Sequence, residues 1–410
     1  MRKRSTVWAS WGLMLLLVAP AMVRAEGYLA TDFGVRRMAA RAVIAHADDG
    51  TAMTHNPACL LLLPGTTLYV GHTASVGAMG LRVYDAEGQL APAQEITPEH
   101  WYGHLPYLAA VSDFGVPWLR IGTSVNLARA RWLEFAPTAL SNVSLVNDTA
   151  WTLRWGTVAA FRISPKFNLG VGISLLHTRR QWSLGATAAN SGILPEEVGN
   201  LLEREGSGTS YNFNLGFHFR PVRPLEIGVV FETGTLMEMA GDVRGTSLTH
   251  TTSFAIPFQL SGGARWTFAE HFALAADVRM WHFQVHQEER SNYGAGIGEV
   301  GIPRNYEQSY AWSTGLSYLP SPGLEVMVGY EQEFSGAPAN TYQLVDPTRD
   351  GQSVGLGAKL EVLPGLDVGV GVAQTWFDLL DIQGSALPDP FNAKVRASMT
   401  EVTVDVQWTM

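Results

Sequence analysis

The sequence predicts a transmembrane antiparallel β-barrel of about 14 strands, with an N-terminal hatch or plug inside the lumen. Three observations predict it. The chain is apolar without an apolar helix: 46% of its 410 residues are hydrophobic and only 16% are charged, against about 25% in soluble domains. No run past the N-terminus reaches the 18 apolar residues a membrane helix needs. Alternating apolar segments recur along the chain, and the connections between them alternate short and long.

Residues 1–25 read as a signal peptide. Arg2, Lys3 and Arg4 give a basic start, Trp11 to Val18 an apolar core that ends at Pro20, and Val23 and Ala25 a small-residue cleavage site. Cleavage before Glu26 removes four basic residues and takes the formal charge from −9 to −13. An acidic chain argues against a nucleic-acid partner. A single cysteine, Cys59, allows no intrachain disulfide, so closure must come from a complete ring of strands.

Residues 26–65 do not alternate. They are rich in alanine, with Arg36, Arg37, Met38, Ala39, Ala40, Arg41 and Ala42 followed by Ala47-Asp48-Asp49-Gly50. Placed in the lumen they form a plug, as larger barrels hold; a periplasmic tail is the alternative.

Residues 66–410 supply the barrel. Tyr211, Phe213, Leu215, Phe217 and Phe219 oppose Asn212, Asn214, Gly216, His218 and Arg220. Val402, Val404, Val406, Trp408 and Met410 oppose Glu401, Thr403, Asp405, Gln407 and Thr409. Fourteen strands are expected near 66–75, 104–114, 117–130, 149–164, 167–184, 208–220, 225–240, 254–269, 272–284, 308–319, 324–334, 353–363, 366–380 and 395–410. Most exceed the globular average and are long enough to cross a bilayer at a tilt. All the long connections fall at one end, which a soluble sandwich has no reason to do. Tryptophans near strand ends, such as Trp155, Trp266, Trp312 and Trp408, suit interfacial girdles.

The run Ala47-Asp48-Asp49-Gly50-Thr51-Ala52, then Asn56-Pro57-Ala58, Leu60 and Leu63-Pro64-Gly65, resembles the N-terminal hatch of the FadL-type outer-membrane transporters of long-chain fatty acids and aromatic hydrocarbons. Gly34, Arg36, Met38 and Ala42 fit the same pattern. Two departures stand out: Cys59 where the family usually has glycine, and a chain ending in Met410 where barrels often end in an aromatic residue.

The resemblance implies a monomer in the bacterial outer membrane, inserted by the barrel-assembly machinery and in contact with lipid and lipopolysaccharide. It implies a hydrophobic small-molecule ligand, caught by the external loops, passed the hatch and released through an opening in the wall. A kink near Gly122 is its expected place by resemblance. No covalent chemistry, cofactor or metal is implied. The hatch residues are Asp48, Asp49, Asn56, Pro57 and Ala58. In the loop at 194–205, Pro195 opens an expected amphipathic helix with Leu194, Val198, Leu201 and Leu202 on one face, a candidate ligand groove or simple lid. Arg154, Arg265, Arg279 and Lys359 face the lumen and are candidates to pair with a ligand carboxylate; Asp277, Glu325 and Glu361 share that face and offer internal pairing instead.

Three other functions compete. An outer-membrane barrel enzyme needs an assembled nucleophile and base, and the chain has no Gly-x-Ser-x-Gly elbow. His282 and His286 have ligand-like spacing, but at a strand end entering a loop they make a poor metal site, and Cys59 reads as packing. A structural or adhesive barrel needs no hatch, and a general porin needs a wide polar lumen.

Overall fold

The computed structural model describes residues 33–84, 88–90, 95–135, 145–185, 201–244, 246–293, 298–342, 349–386 and 392–410. The signal segment, Leu194 and Val198 lie outside them.

The described chain is a closed antiparallel barrel of 14 staves. The first six staves are β1 (Thr66–Val83), β2 (His100–Ser112), β3 (Leu119–Glu134), β4 (Leu145–Ser164), β5 (Phe167–Gly185) and β6 (Leu201–Val222). The next four are each broken in two. They run as β7 (Leu225–Glu232) with β8 (Thr235–Val243), then β9 (Thr249–Ile256) with β10 (Gln259–Phe268). After them come β11 (Phe272–Trp281) with β12 (Glu288–Asn292), and β13 (Glu299–Pro303) with β14 (Ser309–Ser321). The last four are β15 (Leu324–Phe334), β16 (Gly351–Leu363), β17 (Leu366–Phe377) continued by β18 (Leu380–Ile382), and β19 (Ala393–Thr409). The ring closes where β1 pairs with β19, from Thr67↔Thr409 to Val83↔Ala393. Apart from a short break between β2 and β3, closure leaves no strand edge in the membrane, where an unpaired backbone group would find no water.

The burial pattern decides which face meets lipid. The largest fully buried side chains include Arg37, Arg41, Arg129, Arg131 and Arg304, while Val70, Trp155, Phe213, Trp266, Val278 and Val370 are exposed. That is a soluble protein turned inside out. The alternation read at 401–410 holds throughout: Glu401, Thr403, Asp405 and Gln407 are buried, and Val402, Val404, Val406 and Trp408 are exposed. At the short-turn end Trp266, Phe268, Phe272 and Tyr318 follow one another in ring contact, with centroids 4.7 to 5.8 Å apart, as an interfacial girdle requires.

Several strands run past their expected limits at the long-loop end. β1 reaches Val83 rather than residue 75, and β6 begins at Leu201 rather than residue 208. The second difference overturns part of the expected helix at 194–205. Leu201 and Leu202 pair with Gly185 and Leu184 of β5, and the ladder continues through Glu203, Arg204 and Glu205. In the extension of β1 the inward positions become apolar, as at Met79 and Leu81, so the contrast between faces that marks a strand fades while its hydrogen bonds persist.

Candidate functional site

Residues 33–65 lie inside the ring, nearly all buried, as α1 (Val35–Ala40), α2 (Ala52–His55) and a 3-10 helix (Pro57–Leu62). Helices this short are not stable alone, so contacts with the barrel wall must hold them. One side is apolar: Phe33, Val43, Met53, Cys59, Leu60 and Leu61 pack on Tyr69, Leu105, Tyr107, Val111 and Val158 of β1 to β4.

The other side is tied by charge. The Val35 amide donates to Asp405 of β19 at 2.9 Å. Arg36 bridges Asp48 at 2.7 Å and Glu325 of β15 at 2.6 Å. Arg37 donates to Glu331 of β15 at 2.6 Å, and the same carboxylate takes Arg279 of β11. Asp277 accepts the Val43 and Ile44 amides at 2.6 and 3.0 Å. Lys359 of β16 reaches Asp49 at 2.7 Å and Asp48 at 3.3 Å. Apart from Arg36–Asp48 within the segment and Arg279–Glu331 within the wall, these ties join the inner segment to a stave, and buried pairs of this kind are costly to break.

The Asn-Pro-Ala turn sits at the centre. Asn56 donates to the carbonyls of Ile44 at 2.8 Å and Phe217 at 3.1 Å, and accepts the Ala58 amide at 3.1 Å, capping the 3-10 helix. Pro57 occupies the first helical position, where its missing N–H costs nothing. Two wall glycines, register partners in β5 and β6, make room for the turn. A Cβ on Gly170 would lie 2.3 Å from the Ala58 nitrogen, and one on Gly216 would lie 2.3 Å from Asn56 Oδ1. Cys59 is buried beside this turn, its thiol pushed up to about 12 by burial. Its backbone is not in the left-handed region, so the turn does not require the family's glycine there.

The candidate cations are all placed and all engaged. Arg154 donates to Glu232 at 2.8 Å, Arg265 lies 3.8 Å from Glu226, and Arg279 and Lys359 make the ties above. The structure brings Lys359 together with Asp48 and Asp49, places Arg279 with Arg37 on Glu331, and leaves Arg154 apart from them on β4. His282 contacts Gln308 at 3.3 Å and His286 packs on Tyr306. Among the described residues no three His, Cys, Asp or Glu side chains could hold a metal ion.

Acid should loosen the segment. His55 contacts the Phe33 carbonyl at 2.9 Å and is held down to about 4, by burial first and by Arg37 and Arg279 nearby, against the raising pull of the Phe33 contact and of Asp49. A depressed histidine is neutral when docked and takes a proton when undocked. Docking is therefore undiminished above about pH 6.5 and weakens as pH falls toward 4, by about 1.4 kcal/mol per unit. His46 is lowered too and acts in the same direction, whereas Asp48 and Asp49 are lowered and matter only at more acid pH. Bilayer recordings should show more frequent opening at pH 5 than at pH 7; equal opening at both would contradict this.

Two features had no sequence signal strong enough to be singled out. Between β2 and β3 the pairing jumps from Tyr102↔Trp132 to Tyr107↔Asn126, leaving 103–106 and 127–131 unpaired with each other, while 103–106 still pair with β1 and 127–131, apart from Ala128, with β4. Pro106 has no amide hydrogen to give, and Ala128 is an extra residue against β4. Gly122, the expected kink, is regularly paired with Val111 and Val158. Directly above this gap lies an inward apolar cluster: Met79, Leu81, Trp101, Leu133, Phe135, Tyr342, Phe377 and Met399. Trp101 and Leu133 are register partners one step above Tyr102 and Trp132. Inward aromatic residues, which reverse the usual alternation, are the signal that would have found it.

The family model described as "Outer membrane protein transport protein (OMPP1/FadL/TodX)" matches residues 17–409. No curated protein sequence matches the chain. Among solved structures, a FadL homologue of Pseudomonas aeruginosa aligns at TM-score 0.78 and 14% identity, covering 95% of this chain and 99% of that one. The toluene transporter TodX of P. putida aligns at 0.72 and 14%, covering 94% and 99%. The toluene transporter TbuX of Ralstonia pickettii aligns at 0.66 and 13%, covering 92% and 97%. At such identities these likenesses show the fold.

Proposed function

The chain belongs to the OMPP1/FadL/TodX family of outer membrane transport proteins, and on that premise we propose that it takes up hydrophobic small molecules by passive, hatch-gated diffusion with a sideways exit. Residues 26–65 are the hatch, and Asp48, Asp49, Asn56, Pro57 and Ala58 hold it shut. Long-chain fatty acids and aromatic or aliphatic hydrocarbons are the ligand classes that fit.

The observation that supports this reading is the inward apolar cluster at the long-loop end, which adjoins the β2–β3 gap. The cluster around Trp101, Leu133 and Phe135 meets the gap, which is flanked from within by Leu105 on β2 and by the buried Arg129 and Arg131 on β3. Burial of apolar surface at roughly 25 cal/mol per Å² favours a greasy ligand there. The straight path is unsuitable. At the short-turn end a cavity of about 180 Å³ is walled by Asp48, Asp49, Glu325, Lys359, Asp367 and Asp405. That charged floor suits water and repels hydrocarbon.

Uptake of radiolabelled oleate and toluene by cells lacking their own transporters tests the proposal. Wild type should exceed empty vector for at least one ligand. Asn56→Ala, which removes three hydrogen bonds of the hatch, should raise the rate several-fold. Uptake of neither ligand, with the barrel shown folded in the outer membrane, would sink the transport reading. Uptake that Asn56→Ala leaves unchanged would sink the gating.

A further inference from the structure

Outward positions along β1 read Leu68, Val70, His72, Ala74 and Val76, beside Val402, Val404 and Val406 of β19. His72 interrupts this apolar face in the middle of the band and pairs in register with Val404. On β2 the outward positions are Tyr102, His104, Pro106 and Leu108. The two imidazoles meet: His104 Nδ1 lies 3.2 Å from His72 Nε2, with ring centroids 5.2 Å apart. Both are half-buried and lie at the level of segment 103–106, where the pairing of β2 with β3 lapses. Trp132, on the far side of the gap, approaches His104 edge-on at 6.4 Å.

An imidazole pair facing hydrocarbon is expensive unless something polar visits it. What the pair offers does not depend on its tautomer. One ring nitrogen of the contact donates and the other accepts. If His104 Nδ1–H donates, His72 Nδ1–H remains as a donor and His104 Nε2 as an acceptor. If His72 Nε2–H donates, the two roles swap. Either way one donor and one acceptor remain, and among the described residues neither has another hydrogen-bond partner. One donor beside one acceptor complements a group that is both. A hydroxyl or a protonated carboxyl is such a group; a hydrocarbon is not, and an ionised carboxylate can only accept.

We infer that His72 and His104 form a recognition site on the outer lip of the wall gap for hydrophobic molecules carrying a single O–H group, such as long-chain alcohols, phenols and neutral carboxylic acids. The inference rests on the sideways exit proposed above. The pair takes the hydroxyl as it emerges between β2 and β3, so the polar end crosses the rim hydrogen-bonded rather than bare. Hydrocarbons pass without using it.

The test compares uptake of octane and 1-octanol by cells expressing the full chain. Expression and heat-modifiable mobility on gels check that each variant folds. His72→Phe with His104→Phe keeps two rings and removes the hydrogen bonds. It should slow octanol uptake roughly tenfold, equivalent to about 1.4 kcal/mol, and leave octane unchanged. His72→Gln with His104→Asn, which places amide groups near the contacting nitrogens, should recover much of the octanol rate. Equal slowing of both probes, no slowing of either, or no recovery by the amide pair would overturn the inference while leaving transport standing. A wild type no faster than empty vector with both probes would overturn transport and the inference together.

Discussion

Gly170→Val or Gly216→Val should expel the hatch and leave the barrel open. A side chain at either position would meet the Asn-Pro-Ala turn at 2.3 Å, and at Gly170 the obstacle is backbone, which cannot swing aside as a flexible side chain can. Overpacking costs about 1–3 kcal/mol where side chains can adjust, and more where they cannot. The barrel has little reason to yield, because β5 and β6 are joined by an unbroken ladder from Phe167↔Phe219 to Gly185↔Leu201. The hatch is the part that moves. Purified variants in planar bilayers should show persistent conductance where wild type is mostly closed, and limited proteolysis should cut the hatch first. Gly262→Val is the control, since nothing lies within 4 Å of a Cβ there. Leakage through Gly262→Val equal to that of the other two would show that any strand valine opens the barrel and that the close approach is irrelevant.

Glu331→Gln should have the second large effect. This buried carboxylate is shared by Arg37 of the hatch and Arg279 of the wall. Neutralising it leaves two buried guanidinium groups without the charge that holds them together, and breaking a buried pair costs about 3–5 kcal/mol. That is comparable to the whole stability of a small docked element. Hatch release should appear as raised conductance and faster proteolysis, while the barrel retains its heat-modifiable mobility. Glu331→Asp should fall between the two. A variant indistinguishable from wild type would mean that the apolar contacts on β1 to β4 hold the hatch by themselves.

The sequence carried the barrel because a lipid-facing strand writes its orientation into every second residue. Val402, Val404 and Val406 against Glu401, Thr403 and Asp405 can be read without coordinates. The same signal fails outside the bilayer. Leu201 to Glu205 look like a helix because their polar and apolar residues follow no period of two, and only the ladder with β5 makes them a strand. The breaks in the seventh to tenth staves were equally hidden, since Pro257 and the short 3-10 turn Phe283–Val285 interrupt segments that otherwise alternate. At the hatch, the lumen-facing cations were legible from strand phase. Their partners were not, because Arg279 and Glu331 are 52 residues apart and meet only through the curvature of the ring. Gly170 and Gly216 read as weak strand residues, when their absent side chains are the shape of the hatch site.

The tie between Val35 and Asp405 spans 370 residues, nearly the length of the chain. It therefore has a time as well as a place. The hatch leaves the ribosome before any stave, yet one of its anchors is on β19, and the chamber that receives it does not exist until β1 and β19 join. A nascent chain halted anywhere before Asp405 lacks that anchor however well its earlier strands have folded. On the proposed gating, sealing is expected to follow closure of the ring, and a barrel completed in the membrane with its hatch undocked would be a hole in the cell's outer barrier until docking catches up.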